Sequence, residues 1–213
     1  LVDGQVRLEG AGVLAVKGNY SNLGDIEGGG ISGTNYMGTV LMNGASAQTF
    51  DNGNDTIYNL TIDNSTGVTG ANVIIKNTLT LTDGIWDIAA TDVEFGPSAT
   101  AVSGASSTAY INTSSTGSAT KDFASSSSFE FPVGTSTAYF PLTLEPSAAT
   151  DVDVKVNDNV YDDPETPSGL RTVNAVKATW EITPSLASSL DISTGHPASA
   201  EISPSFDRTN ASH

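Results

Sequence analysis

The chain of 213 residues contains no cysteine. Disulfides, thiolate metal sites and thiol nucleophiles are therefore excluded. This does not assign a compartment, because a large β-protein buries enough apolar area to need no covalent staple. Basic residues are also scarce. Eight Lys+Arg stand against 24 Asp+Glu, a formal net charge of -16. A surface of that sign repels polyphosphate and anionic lipid, which argues against nucleic acid and membrane surfaces as partners. His196 and His213 are the two histidines. One sits in a Gly-His-Pro turn and the other is the last residue, so a Ser-His-Asp arrangement has little to draw on. No apolar run approaches the ~20 residues of a membrane-spanning helix. No signal peptide opens the chain. It starts at Leu1 without an initiator Met, and its C-terminal pattern stops without a closing strand. A piece of a longer protein is the expectation.

Helix periodicity is missing as well. No stretch of twelve residues repeats apolar positions at three and four. Short alternating runs take its place, separated by Gly, Asn, Asp and Ser. Val13–Val16, Gly38–Met42, Ile57–Ile62, Leu79–Leu81, Trp86–Ile88, Val93–Phe95 and Ala109–Ile111 are such runs. In the third, alternation predicts Tyr58, Leu60 and Ile62 on one face. Leu41, Leu60 and Leu79 follow one another at 19 residues. A unit of roughly 20 residues is the length of one coil of a solenoid, which buries its inner face only by stacking on its neighbours. An ordinary sandwich is the alternative, with strands every ~8–12 residues.

Residues 103–128 change character: 14 of the 26 are Ser or Thr. Such a stretch is expected to be loop, linker or a last weak coil. Beyond it the alternation is cleaner. Phe129 and Phe131 share a face, as do Phe140, Leu142 and Leu144, and Val152, Val154 and Val156 point in while Asp and Lys point out. Trp180 and Ile182 are inward on a further strand. The expectation is an all-β protein with a parallel β-helix or solenoid-like part over 1–125, then an antiparallel Ig-like β-sandwich over 126–213, possibly cut short.

Several phrases of the chain resemble giant surface proteins of Bacteroidetes. They are Gly38–Phe50, Ile57–Thr69 and Leu79–Trp86, then Phe131–Gly134, Tyr139–Leu144, Trp180–Pro184 and Phe206–Ala211. Their order carries the resemblance over roughly residues 10–213. It implies a β-helix-like adhesin or stalk followed by sandwich modules, exported by the type IX route to the cell surface. It supplies no catalytic residues. Surface glycans or other cells are the implied partners, with polymerisation of the chain by strand addition as a further reading.

Chemistry has few anchors. Glycan cleavage by paired carboxylates or by a solenoid lyase finds only Arg7, Lys17 and Lys76 as cations in the first hundred residues, and they are not clustered. Calcium is the best chemical expectation. Asp158, Asp162, Asp163 and Glu165 put hard oxygen ligands on one loop, the plain reading being a solvated acidic loop. Gly53–Tyr58 matches part of a calcium-binding nonapeptide, once and not in tandem. Asp55-Thr56-Ile57 fits a bacterial O-glycosylation pattern, with Thr56 as acceptor. Flat Thr faces suit ice binding, but the Thr spacing along the chain is too irregular for one. Most of the aromatics are expected to pack inward, Tyr161 beside the acidic loop being the exception. A non-catalytic, extracellular structural or adhesive protein is the resulting expectation, with a secreted polysaccharide-binding or lyase-like protein as the rival.

Overall fold

The computed structural model describes residues 8, 10–22, 37–158 and 178–185. These form strands and no helix, so the all-β class holds. In chain order the strands are β1 (Val13–Val16), β2 (Tyr20–Ser21), β3 (Thr39–Met42), β4 (Gln48–Asp51), β5 (Asp55–Asp63) and β6 (Val68–Thr69). Then come β7 (Val73–Asp83), β8 (Trp86–Asp87), β9 (Val93–Phe95), β10 (Ala101–Ser103), β11 (Ile111–Asn112) and β12 (Ala119–Phe123). The last are β13 (Phe129–Phe131), β14 (Val133–Gly134), β15 (Leu142–Leu144), β16 (Thr150–Asn157) and β17 (Thr179–Pro184).

The chain alternates between two sheets. One runs β1-β3-β5-β7-β9-β12-β16-β17, with β10 also on β7; the other runs β14-β11-β8-β6-β4-β2. Every pairing up to β12 in the first sheet, and every pairing in the second, is parallel. A parallel neighbour cannot be reached by a tight turn. Here the crossover is the strand of the opposite sheet, where many folds place a helix. The repeated circuit stacks like residues. Val40 pairs with Leu60 and Leu60 with Leu79; Met42 pairs with Ile62 and Ile62 with Leu81. All six are fully buried. Of the two 19-residue steps in the sequence, only Leu60 to Leu79 is a true register, because Leu41 pairs with Thr61.

One inward assignment is corrected. β5 carries an irregularity between Ile57 and Asn59, where Ile57 and Leu60 both point in and two residues lie between them. The extra residue puts Tyr58 off the Leu60 face, half-buried. β7 spreads further at the same place, and one circuit later the two halves are separate strands, β9 and β10.

Corners explain the abundance of Asn and Asp. The side-chain oxygens of Asp51, Asn64, Asp87 and Asn112 each accept the backbone N–H two residues on, at 3.0 Å in every case. These are Asx turns, which reverse the chain without a helix. Two buried amides link successive circuits. Gln48 Oε1 accepts from Gly44 N (2.8 Å) and Asn64 Nδ2 (2.9 Å), while its Nε2 donates to the carbonyls of Val16 and Gly18. Asn64 Nδ2 also donates to Ser46 O at 2.8 Å. Buried amides cost little once every donor and acceptor is matched.

The Ser/Thr-rich stretch forms β11 and β12, with Ile111, Thr113, Ala119 and Phe123 buried. β12 then pairs parallel with β9 on one side and antiparallel with β16 on the other. The first sheet thus runs across position 125. β16 pairs antiparallel with β17, β13 with β15, and β14 joins the parallel sheet beside β11. Val152, Val154 and Val156 are fully buried, and Trp180 and Ile182 pack against the same core.

The second sheet buries an aromatic run. Tyr20 stacks on Phe50 at 5.1 Å, and Phe50 meets Trp86 edge-on at 6.1 Å. Gly70 (φ 89°) makes room: a Cβ there would lie 2.6 Å from the Phe50 carbonyl, and its own carbonyl accepts from Trp86 Nε1 at 2.6 Å. Replacing Trp86 by Phe leaves that carbonyl without its donor and is expected to destabilise the fold by about 1–3 kcal/mol. Trp86→Ala adds a cavity and should cost about 3–5 kcal/mol. Urea unfolding monitored by circular dichroism measures both, and equal losses for the two variants would contradict this packing.

Candidate functional site

The sequence-derived ligands fall in separate places. In the Gly53–Tyr58 segment, Gly53 (φ 61°) and Asn54 (φ 63°) make a left-handed turn. Protein amides hold its carboxylates. Asp51 Oδ1 accepts from Gly53 N at 3.0 Å and Asn72 Nδ2 at 3.1 Å, and Asp55 Oδ2 accepts from Asn22 Nδ2 at 3.0 Å. Asn52 receives the Tyr20 hydroxyl at 3.0 Å and donates to the Asp55 carbonyl at 2.7 Å. These bonds join three circuits. Of the acidic loop, Asp158 is exposed in the bend after β16, and Asp162, Asp163 and Glu165 lie outside the described residues. Among the described residues, no group of three or more His, Cys, Asp or Glu is placed to hold a metal ion. His196 and His213 also lie outside the described residues.

Thr56 is half-buried in β5, in register with Ile74 of β7. The aromatics mostly pack inward. Tyr110 is buried, donates its hydroxyl to Thr135 O at 2.8 Å and lies 5.6 Å from Tyr139. Trp180 donates to Phe140 O at 3.0 Å and meets its ring edge-on. Burial, with Glu130 at 3.5 Å as acceptor, pushes the Tyr139 phenol up to about 12.

Two clusters escaped the sequence reading. The first is a row of carboxylates across the join between parallel and antiparallel strands. Thr120 is in register with Glu94 on one side and Asp153 on the other, and Asp122 is in register with Asp151. Thr120 Oγ1 donates to Asp153 Oδ1 at 2.7 Å. Burial raises the Glu94 carboxyl above its usual range, and Asp151, Asp122 and Asp153 add to the rise. The three strands bring together carboxylates 28 to 59 residues apart in the chain, so only strand pairing reveals the cluster.

The second is Lys121, which is 3% exposed. It continues the inward column Ile57–Ile75–Phe95, because β12 lies on β9 with Lys121 on Phe95, and Val152 of β16 follows on its other side. Its Nζ donates to Gly96 O at 2.8 Å and Asp122 O at 2.7 Å, and lies 5.5 Å from the ring centres of both Phe123 and Phe129. Desolvation lowers its pKa, partly offset by Asp122. Carbonyl dipoles and ring faces solvate the ammonium here. The Ala119-x-Lys121-x-Phe123 alternation was the available signal.

No protein-family model matches the chain, and no curated protein or solved structure is significantly similar to it.

Glu94, with a raised pKa, favours folding most at low pH, and that contribution is lost as pH rises through the raised value. Glu94→Gln is therefore expected to stabilise the protein at pH 7 by about 0.5 kcal/mol, the scale of a solvent-screened charge interaction. The gain should vanish near pH ~4, where the carboxyl is protonated. Urea midpoints at the two pH values decide it, and a gap independent of pH would contradict the repulsion. Lys121→Met removes the ammonium's bonds to Asp122 O and to Gly96 O, which keeps the Ala99 N–H, and should cost about 1 kcal/mol, read from the same curves.

Proposed function

We propose that the chain is a non-catalytic structural module of an extracellular, cell-surface protein, a stalk or adhesin segment of the Bacteroidetes giant-protein type. In this reading the parallel circuits are coils of a β-solenoid. The antiparallel strands from β13 onward belong to the sandwich-like module that follows. The observation that supports it best is the same-direction register of β1, β3, β5 and β7, repeated in β2, β4, β6 and β8. Adding circuits to such a ladder lengthens the molecule along one axis without widening it.

The mechanical consequence follows from the bonds. Each circuit is tied to the next by backbone ladders on both sheets and by buried amides at the corners. Bending the axis would break several of these bonds together. A charge of -16 keeps such rods apart in solution. Carboxylates cover the join at β9, β12 and β16, which blunts that part of the surface against edge-to-edge pairing.

Immunogold electron microscopy of intact source cells, with antibody to this chain, tests the proposal. Gold along thin projections is the expected result. Gold confined to the culture fluid, with none on cells, would overturn it and favour a secreted glycan-active protein.

A further inference from the structure

We propose that Asn43 is a site of spontaneous covalent modification, where a cyclic imide forms with Gly44 and opens to isoaspartate under the charge of Lys17. The chain holds two Asn-Gly pairs, Asn43-Gly44 after β3 and Asn52-Gly53 after β4. The fold requires glycine at the first. A Cβ on Gly44 would lie 2.7 Å from the Lys17 carbonyl oxygen and 2.8 Å from Gln48 Cδ. A glycine nitrogen, with no side chain beside it, can close on the carboxamide carbon of the preceding asparagine.

The reaction needs water and no other reagent. The Gly44 nitrogen gives its proton to solvent base and attacks Asn43 Cγ. A C–N bond closes the imide, and Nδ2 takes up a proton and leaves as ammonia. Water then adds to one of the two imide carbonyls and breaks that carbonyl's bond to nitrogen. Cleavage at the side-chain carbonyl leaves aspartate. Cleavage at the backbone carbonyl leaves isoaspartate, whose main chain runs through Cβ and Cγ.

Hydrogen bonding sets the two pairs apart. Asn43 Oδ1 is buried without a hydrogen-bond partner, and no described residue accepts from its Nδ2. The carboxamide can therefore turn toward Gly44 without breaking a bond. Exposed Ala45, Ser46 and Ala47 follow it. Asn52 is 2% exposed. Its Oδ1 accepts from the Tyr20 hydroxyl at 3.0 Å, and its Nδ2 donates to Asp55 O at 2.7 Å. The attacking nitrogens are held alike, Gly44 N–H by Gln48 Oε1 at 2.8 Å and Gly53 N–H by Asp51 Oδ1 at 3.0 Å. That restraint slows both pairs, so the carboxamide bonds make the difference. Opening one such bond costs about a factor of five, and the two on Asn52 separate the pairs by more than about tenfold.

Lys17 selects the product. Its Nζ donates to Asn43 O at 3.1 Å. An ammonium there stabilises the oxyanion that forms when water adds to the backbone carbonyl, which is the route to isoaspartate. The carbonyl oxygen that Lys17 holds then belongs to a free carboxylate. The methylene added to the main chain pulls Gly44 away from Gln48, at the amide link between circuits.

Peptide mapping by mass spectrometry with isoaspartate detection, on full chain held at mildly alkaline pH, tests the proposal. Folded chain should convert Asn43 more than about tenfold faster than Asn52, while urea-unfolded chain converts both at similar rates. Lys17→Met, at an exposed position, should lower the isoaspartyl share of the product at Asn43. Equal or faster conversion of Asn52 in the folded chain would overturn the proposal. So would an Asn43 that stays intact while the unfolded chain reacts, or an isoaspartyl share that Lys17→Met leaves unchanged.

Discussion

Parallel pairing between consecutive passes of the chain is the constraint on which the structure depends. Two parallel strands cannot share a hairpin, so the chain must travel away and return before it can pair again. Here it spends the journey as a strand of the second sheet. That choice makes each pass lie over the one before it, residue for residue. Inward positions become columns, and a column works only if every level is apolar or fully bonded. Val40, Leu60 and Leu79 satisfy the first condition. Gln48 and Asn64 satisfy the second, by bonding to one another and to carbonyls of neighbouring passes.

The same constraint accounts for the composition. Tight corners without helices need side chains that accept from their own backbone, and Asp51, Asn64, Asp87 and Asn112 do so. Some corners demand a left-handed residue with backbone close behind it. Gly84 (φ 85°) is one, and a Cβ there would run into the Asn64 carbonyl of the previous pass. Among the described residues, lysine enters the core only at Lys121, at the level where the parallel stack meets the antiparallel strand β16.

Much of this was legible in the sequence because a strand has a period of two. The all-β class, the inward Val152–Val154–Val156 set and the Leu60–Leu79 step all followed from alternation and spacing. What escaped has a common cause. One irregularity in β5 shifted the phase and moved Tyr58 off the Leu60 face. Corner loops of unequal length hid the strand register from any search for a fixed repeat. The carboxylate row and the Lys121 cage join residues that meet only through strand pairing. Of the sequence-derived site residues, the calcium candidate Asp158 is solvent-exposed and the glycosylation candidate Thr56 is half-buried in a strand, on separate elements.

A stack of parallel passes gives one account of rigidity, of the stacked core columns and of growth along a single axis. All three fail if β5 and β7 pair in the opposite sense. These two strands are neighbours in the chain, with Val68–Thr69 between them, and a hairpin-like antiparallel pair is the natural competitor. Nuclear Overhauser spectroscopy on labelled protein separates the two. The account predicts contacts between Leu60 and Leu79, and between Val68 and Trp86, in the pattern of parallel strands. Strong Hα–Hα contacts linking residues 55–63 to 73–83 in reverse order would contradict it.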